Sequence, residues 1–233
     1  SKSPASLGQF PDGADGPPDA AASGDAIPLA PRLTSDAAFV TLAAGMALGL
    51  FAQIGLIAHL FSILAPKLGD QGAGLAGALM TSAAIAGRTA FGWLAPALVD
   101  RRKLAATSYG IQMFGCALLI AADGSIPLML AGVCLIGLGV GNATSLPPLI
   151  VQSEFSRAQG PRVVALITAS SQATYAFAPA LFGLLRGGAD EADRALFLVA
   201  AGVQLLAALC FLVGARRWLK RGAKTAAPAP RPG

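Results

Sequence analysis

Beyond residue 36 the chain is built from six long, nearly charge-free apolar stretches, at about 38–64, 73–98, 104–122, 126–151, 163–185 and 195–215. Each is long enough for a helix to cross a hydrocarbon core of about 30 Å, which takes roughly 20 residues. In lipid the backbone must satisfy its own hydrogen bonds, so continuous apolar segments of this length cross as helices and not as strands. The pattern predicts an all-α integral membrane protein with six transmembrane helices. Composition agrees, with 55% of residues hydrophobic and 12% charged, against roughly 25% charged in a soluble domain. The net charge of +5 could suggest nucleic acid. The cations, however, lie in short clusters between apolar runs, where membrane orientation explains them, so the expected partner is the lipid bilayer and not nucleic acid. Cys116, Cys134 and Cys210 fall inside apolar segments and outline neither a disulfide framework nor a metal site, and no cofactor is expected.

Residues 1–36 hold six prolines, four glycines and five aspartates with few bulky apolar residues. Such a segment buries too little surface to offset its ordering entropy and reads as a flexible cytoplasmic linker. Residues 37–218 read as the six-helix transmembrane domain and 219–233 as a basic cytoplasmic tail. With six spans, thirteen Lys and Arg fall on one side and only Lys67, Arg186 and Arg194 on the other. That excess marks the cytoplasmic side and places both termini there. The loops expected on the far side are short: Pro66–Gly72, Asp123–Ser125 and Arg186–Arg194. The chain starts at Ser1 without a methionine or a signal peptide, so a truncated or processed product is expected.

The second span contains the one charge inside any of the six: Arg88, in AGRTAFGWLAPALVDRRK (86–103). It lies about 4 Å from the middle of its span. A central arginine costs about 2.5–3.5 kcal/mol on insertion scales and by default faces a bundle interior or a watery cavity. Asp100 is about 18 Å away along the helix and cannot neutralise it. No other span supplies a carboxylate, so an anionic solute or another polypeptide segment must meet the charge. Thr81, Ala84, Gly92 and Ala95 share its face. The alternative is packing alone, with Arg88 bonded to carbonyls of a neighbouring helix or snorkelling towards the cytoplasm.

Other polar residues are spread unevenly. The fifth span carries Thr168, Ser171, Gln172 and Tyr175 on one stripe, since offsets of 3, 4 and 7 share a helical face. The fourth carries Asn142 and Ser145 after Gly137, Gly139 and Gly141; the first carries Gln53 and His59; the third and sixth carry only Gln112 and Gln204. The first, second, fourth and fifth spans are the expected cavity wall, with the third and sixth peripheral. Each such side chain can equally be interhelical glue. His59 is the one group in the spans with an ordinary pKa near neutrality and is the candidate for proton coupling, against a plain interfacial role. Pro147–Pro148 and Pro179 are expected to kink the fourth and fifth spans. An enzyme is not expected, because the spans hold no acid and the lone histidine has no matched nucleophile.

Six helices with GRTAFGWLAPALVDRR running from the second into a loop resemble the C-terminal half of a major facilitator superfamily transporter. LFAQIGLIAHLFSILAP (50–66) and GLGVGNATSLPPLIVQSEF (137–155) are similar in style to its bacterial members. The resemblance covers residues 38–218 and implies one half of a 12-helix bundle, with 1–36 as the central linker, a bacterial inner membrane, and a missing N-terminal six-helix half as partner. Gly92, Asp100, Arg101 and Arg102 fit a degenerate version of the family's loop signature, which implies a cytoplasmic gate in which Asp100 reaches towards Arg162. Gly87-Arg88-x-x-x-Gly92 most resembles the monocarboxylate and oxalate/formate carriers, which implies that Arg88 binds a substrate carboxylate. Some oxalate carriers add a lysine in the fifth helix; this chain has none, which points to a monocarboxylate or other small organic anion. The resulting expectation is a secondary transporter working by alternating access as a symporter, with Gln53, Asn142, Gln172 and Tyr175 lining the cavity beside Arg88. A drug or metabolite exporter of the same superfamily and a non-transporting six-helix scaffold are the alternatives.

Overall fold

The computed structural model describes residues 33–94, 100–142, 145–186 and 190–225. Most of the expected linker and residues 226–233 lie outside the described residues. A short 3-10 turn, Leu33–Ser35, belongs to one unit. From Ala37 onward the chain forms a second compact unit of helices: α1 (Ala37–Leu94), α2 (Arg101–Ala121), α3 (Ile126–Val140), α4 (Leu146–Glu154), α5 (Gly160–Tyr175), α6 (Ala178–Leu184) and α7 (Asp190–Thr225). Among the described residues there is no strand.

The first two expected spans are one element. A straight helix of this length would run about 87 Å, far more than a bilayer holds. It is broken at Gly69, whose backbone (φ 73, ψ 165) leaves the helical region. Only glycine enters that region without steric cost. The expected loop Pro66–Gly72 is therefore corrected to a break at a single residue, with Pro66 inside the helix. We call 37–68 and 70–94 the first and second limbs of α1. Residues from both limbs, Leu56, Leu60 and Leu64 with Ala73 and Ala76, join one apolar core cluster near this break.

Proline sets the starts of the later helices. Pro127, Pro147, Pro161 and Pro179 sit in the first turns of α3, α4, α5 and α6, where a missing N–H costs nothing. Pro147–Pro148 cannot extend the hydrogen-bond ladder of α3, so the fourth expected span is divided into α3 and α4. Pro179 likewise divides the fifth into α5 and α6. The expected kinks are thus full interruptions. By length and composition, three helices among the described residues are apolar enough to cross a membrane: Ala37–Trp93, which contains the Gly69 break, Arg101–Ala121 and Asp193–Ala215. α7 continues through the start of the expected tail to Thr225.

Contacts give the order around the bundle. The second limb lies against α3 so closely that a Cβ on Gly87 would stand 2.2 Å from the Leu138 carbonyl oxygen. α3 meets α2 through Gly132 and Gly115. α2 meets α7 through the stacked rings of Tyr109 and Phe211. α7 meets the first limb where Phe211 fills the space beside Gly45, and α6 meets it through Phe182 against Phe51. Small residues permit this approach where lipid gives no hydrophobic drive between helices. The outward faces of α2 and α7 carry Phe114, Leu198, Leu205 and Leu206, all exposed, as lipid-facing positions require.

Gly69→Ala forces a side chain into the positive-φ region. A loss of about 1–3 kcal/mol is expected, read as a lower thermal midpoint in detergent; an unchanged midpoint would show that the break does not depend on glycine.

Candidate functional site

Arg88 projects from the second limb and is exposed on the bundle surface. Its Nε donates to the carbonyl oxygen of Gly141 at 2.8 Å. Gly141 caps the C-terminal end of α3, where unpaired carbonyls give a helix its partial negative charge. The α3–α4 interruption therefore supplies part of what a mid-span cation needs.

The other expected wall residues divide between two cavities. Gln172 and Tyr175 line a cavity of about 290 Å³ together with Thr168, Ser171, Pro147 and Met46. Ser171 is buried there and its Oγ has no hydrogen-bond partner. Gln53 and Asn142, each 2% exposed, lie instead around a pocket of about 10 Å³ with Ser108 and Tyr109. Asn142 Nδ2 donates back to Leu138 O at 3.4 Å, and Gln53 Nε2 has no partner. Met46 borders both spaces, and Arg88 lines neither. The five side chains do not line one cavity in this conformation: Gln53 and Asn142 are packed beside α2 and α3, away from the larger space.

His59 Nε2 lies 2.9 Å from the carbonyl oxygen of Pro179, at the α5–α6 interruption. The bond needs the proton on Nε2. The third and sixth expected spans, read as peripheral, carry a buried polar seam on their inner faces. Gln204 Nε2 donates to Gln112 Oε1 at 3.3 Å, Gln112 Nε2 donates to Ser108 O, and Ser108 Oγ donates to Gly139 O. Among the described residues no three His, Cys, Asp or Glu side chains gather as metal ligands.

The expected gate is rearranged. Asp100 caps α2, accepting from the Arg102 and Lys103 backbone N–H groups at 3.0 and 3.3 Å, and Lys103 Nζ stands 3.9 Å from its other oxygen. It forms no pair with Arg162, which is exposed. Gly92 stands in open space beside the exposed Trp93. Arg101 donates to the Leu149 carbonyl. The carboxylate that matters is Glu154. Arg102 is 1% exposed and grips it bidentately, Nε to Oε1 at 2.6 Å and Nη2 to Oε2 at 2.7 Å. Its remaining donors reach Thr41 Oγ1 at 2.9 Å and Ala38 O at 2.7 Å. Gly214 of α7 leaves the room: a Cβ there would stand 1.8 Å from Arg102 Nη1. Four helices thus converge on one guanidinium.

Sequence reasoning placed Arg102 only in the loop signature and did not single out Glu154, which falls just beyond the fourth apolar run. One signal was present. Arg101, Arg102 and Lys103 open α2, the end at which a helix dipole disfavours cations, so an acid had to be near.

An all-helical chain with apolar outer faces, polar seams inside and interrupted helices beside a mid-span cation is an integral membrane protein of the transporter type. The chain belongs to the Major Facilitator Superfamily, whose family model matches residues 36–232. It is therefore a secondary-transporter family member, and such proteins are transporters and not enzymes. Comparisons with curated proteins and with solved structures give no significant match.

Glu154→Gln leaves a buried guanidinium without its counter-charge, which costs about 3–5 kcal/mol. A marked drop in thermal midpoint is expected, and the double variant Arg102→Met/Glu154→Leu should be more stable than Glu154→Gln alone. A double variant no better than the single would remove the charge-pair explanation.

Proposed function

We propose that this chain moves a small organic anion, a monocarboxylate by preference, by alternating access, with Arg88 as the carboxylate contact. The observation that carries the reading is the position of Arg88: a mid-span cation, exposed on the bundle surface and steadied by the end of α3. A guanidinium is the side chain suited to bidentate carboxylate recognition. The cavity of about 290 Å³ beside Gln172 and Tyr175 offers polar groups for the rest of a small solute. Gln53 and Asn142 would join that wall only when α1 and α3 separate, as a rocking bundle would allow.

Polar side chains on the second limb and α5, among them Thr81, Ser82, Thr89 and Thr168, are exposed. Facing lipid they would be unfavourable, so this face is the natural seat of a second six-helix half across a central cavity. The carrier works as a symporter if His59, bonded to the Pro179 carbonyl beside the α5–α6 interruption, takes part in moving a proton. Asp100, Arg101, Gly92 and Arg162 lie towards the end that closes to the cytoplasm, with both termini on that side of a bacterial inner membrane. A drug or metabolite exporter is the competing reading, in which Arg88 pairs with an acid of that second half.

In the complete carrier reconstituted into liposomes, Arg88→Ala is expected to raise the apparent KM for short monocarboxylates about 10- to 100-fold, the loss of a charge-assisted hydrogen bond. Arg88→Lys should recover part of it, since an ammonium keeps the charge but not the fork. Unchanged monocarboxylate affinity in Arg88→Ala would sink the anion assignment, and failure of short carboxylates to compete for transport would favour the exporter.

A further inference from the structure

A second cavity, of about 780 Å³, opens where the start of α2, the end of α4 and the start of α5 meet. Arg101 and Arg157 lie on its wall with Ser156, and Val151, Phe155 and Val164 supply apolar surface. No acid lines it. Glu154, the carboxylate nearest in sequence, has both oxygens held by Arg102. Arg157 is exposed and makes no hydrogen bond or ion pair among the described residues. Arg101 is fixed by its bond to Leu149 O and still has further N–H groups to offer.

We infer that this cleft is a binding site for a phosphate group, carried there by an anionic phospholipid whose first acyl carbons rest on Val151, Phe155 and Val164. Three features favour that source. The cleft lies at the ends of membrane-spanning helices, the depth at which headgroups sit. It falls on the side with the excess of cations, and basic pockets between transmembrane helices on that side hold anionic headgroups. It joins two cations to an apolar wall, a combination that suits an amphiphile better than a free ion. The start of α5 points its partial positive charge the same way, a minor aid. The site depends on the membrane placement of the chain and not on the proposed transport of organic anions.

Native mass spectrometry of the purified full chain in detergent tests it, with phosphatidylglycerol and phosphatidylcholine of identical acyl chains as probes. Phosphatidylglycerol should bind at least about fivefold more tightly, in keeping with the contribution of each cation near an anionic surface. Arg157→Gln should reduce that preference about fivefold, and since the side chain is exposed and unpaired the variant should fold normally. Lys103→Gln, a cation at the same end but outside the cleft, should leave it intact. An undiminished preference in Arg157→Gln overturns the site, and an equal loss in Lys103→Gln overturns it in favour of diffuse surface charge. Glycerol phosphate should displace little of the lipid; full displacement would assign the cleft to a soluble phosphate and overturn the lipid source.

Discussion

A backbone inside hydrocarbon has no water to bond, and every carbonyl released by an interrupted helix needs a donor from the protein. The polar side chains of this chain are placed where that need arises. Arg88 meets Gly141 O at the end of α3 and His59 meets Pro179 O at the start of α6. Ser108 meets Gly139 O, one residue before the last of α3. Interruption and donor occur together. The interruptions themselves follow from proline, which cannot continue a helical ladder but is tolerated in a first turn. Two of the six expected spans, the fourth and fifth, are broken by this rule, and Arg88 and His59 each meet a carbonyl at one of the interruptions.

The same reasoning explains the opposite end of the bundle. A helix that begins Arg-Arg-Lys opposes its own dipole, and α2 can begin there only because Asp100 caps it and Glu154 neutralises it. Arg102 is drawn inward to bind four helices at once, with Gly214 yielding the volume. Burying such a pair is not a strong source of stability, since desolvation offsets much of the attraction. Its consequence is geometric: the first limb, α2, α4 and α7 keep a fixed relation where they meet. The neighbouring Arg101 and Arg157, with no such acid, are left facing the cleft of about 780 Å³.

Much was legible from the apolar runs. The all-α membrane class of the fold follows from the length of those runs and from the backbone's need to pair. Arg88 could be singled out because an isolated charge in an apolar run is visible at once. Less legible was anything set by a few degrees of backbone or by a neighbour distant in sequence. Pro66 read as a loop, yet the helix runs through it and breaks at Gly69, three residues later. Gln53 and Asn142 read as cavity wall because they are polar. Whether they face a cavity of about 290 Å³ or a pocket of about 10 Å³ depends on which helices press against them.

By itself, then, the sequence determined that the chain is helical and membrane-embedded, and that one cation stands among apolar residues. These are local properties: length, hydrophobicity and the bonding demands of a single segment. Tertiary structure alone decided that Arg102 and not Asp100 forms the buried ion pair, that Glu154 is its partner 52 residues away, and that Gln112 and Gln204 join two helices 92 residues apart. Those choices turn on close approach between helices, and close approach is governed by the shapes of several segments together, which no single segment carries.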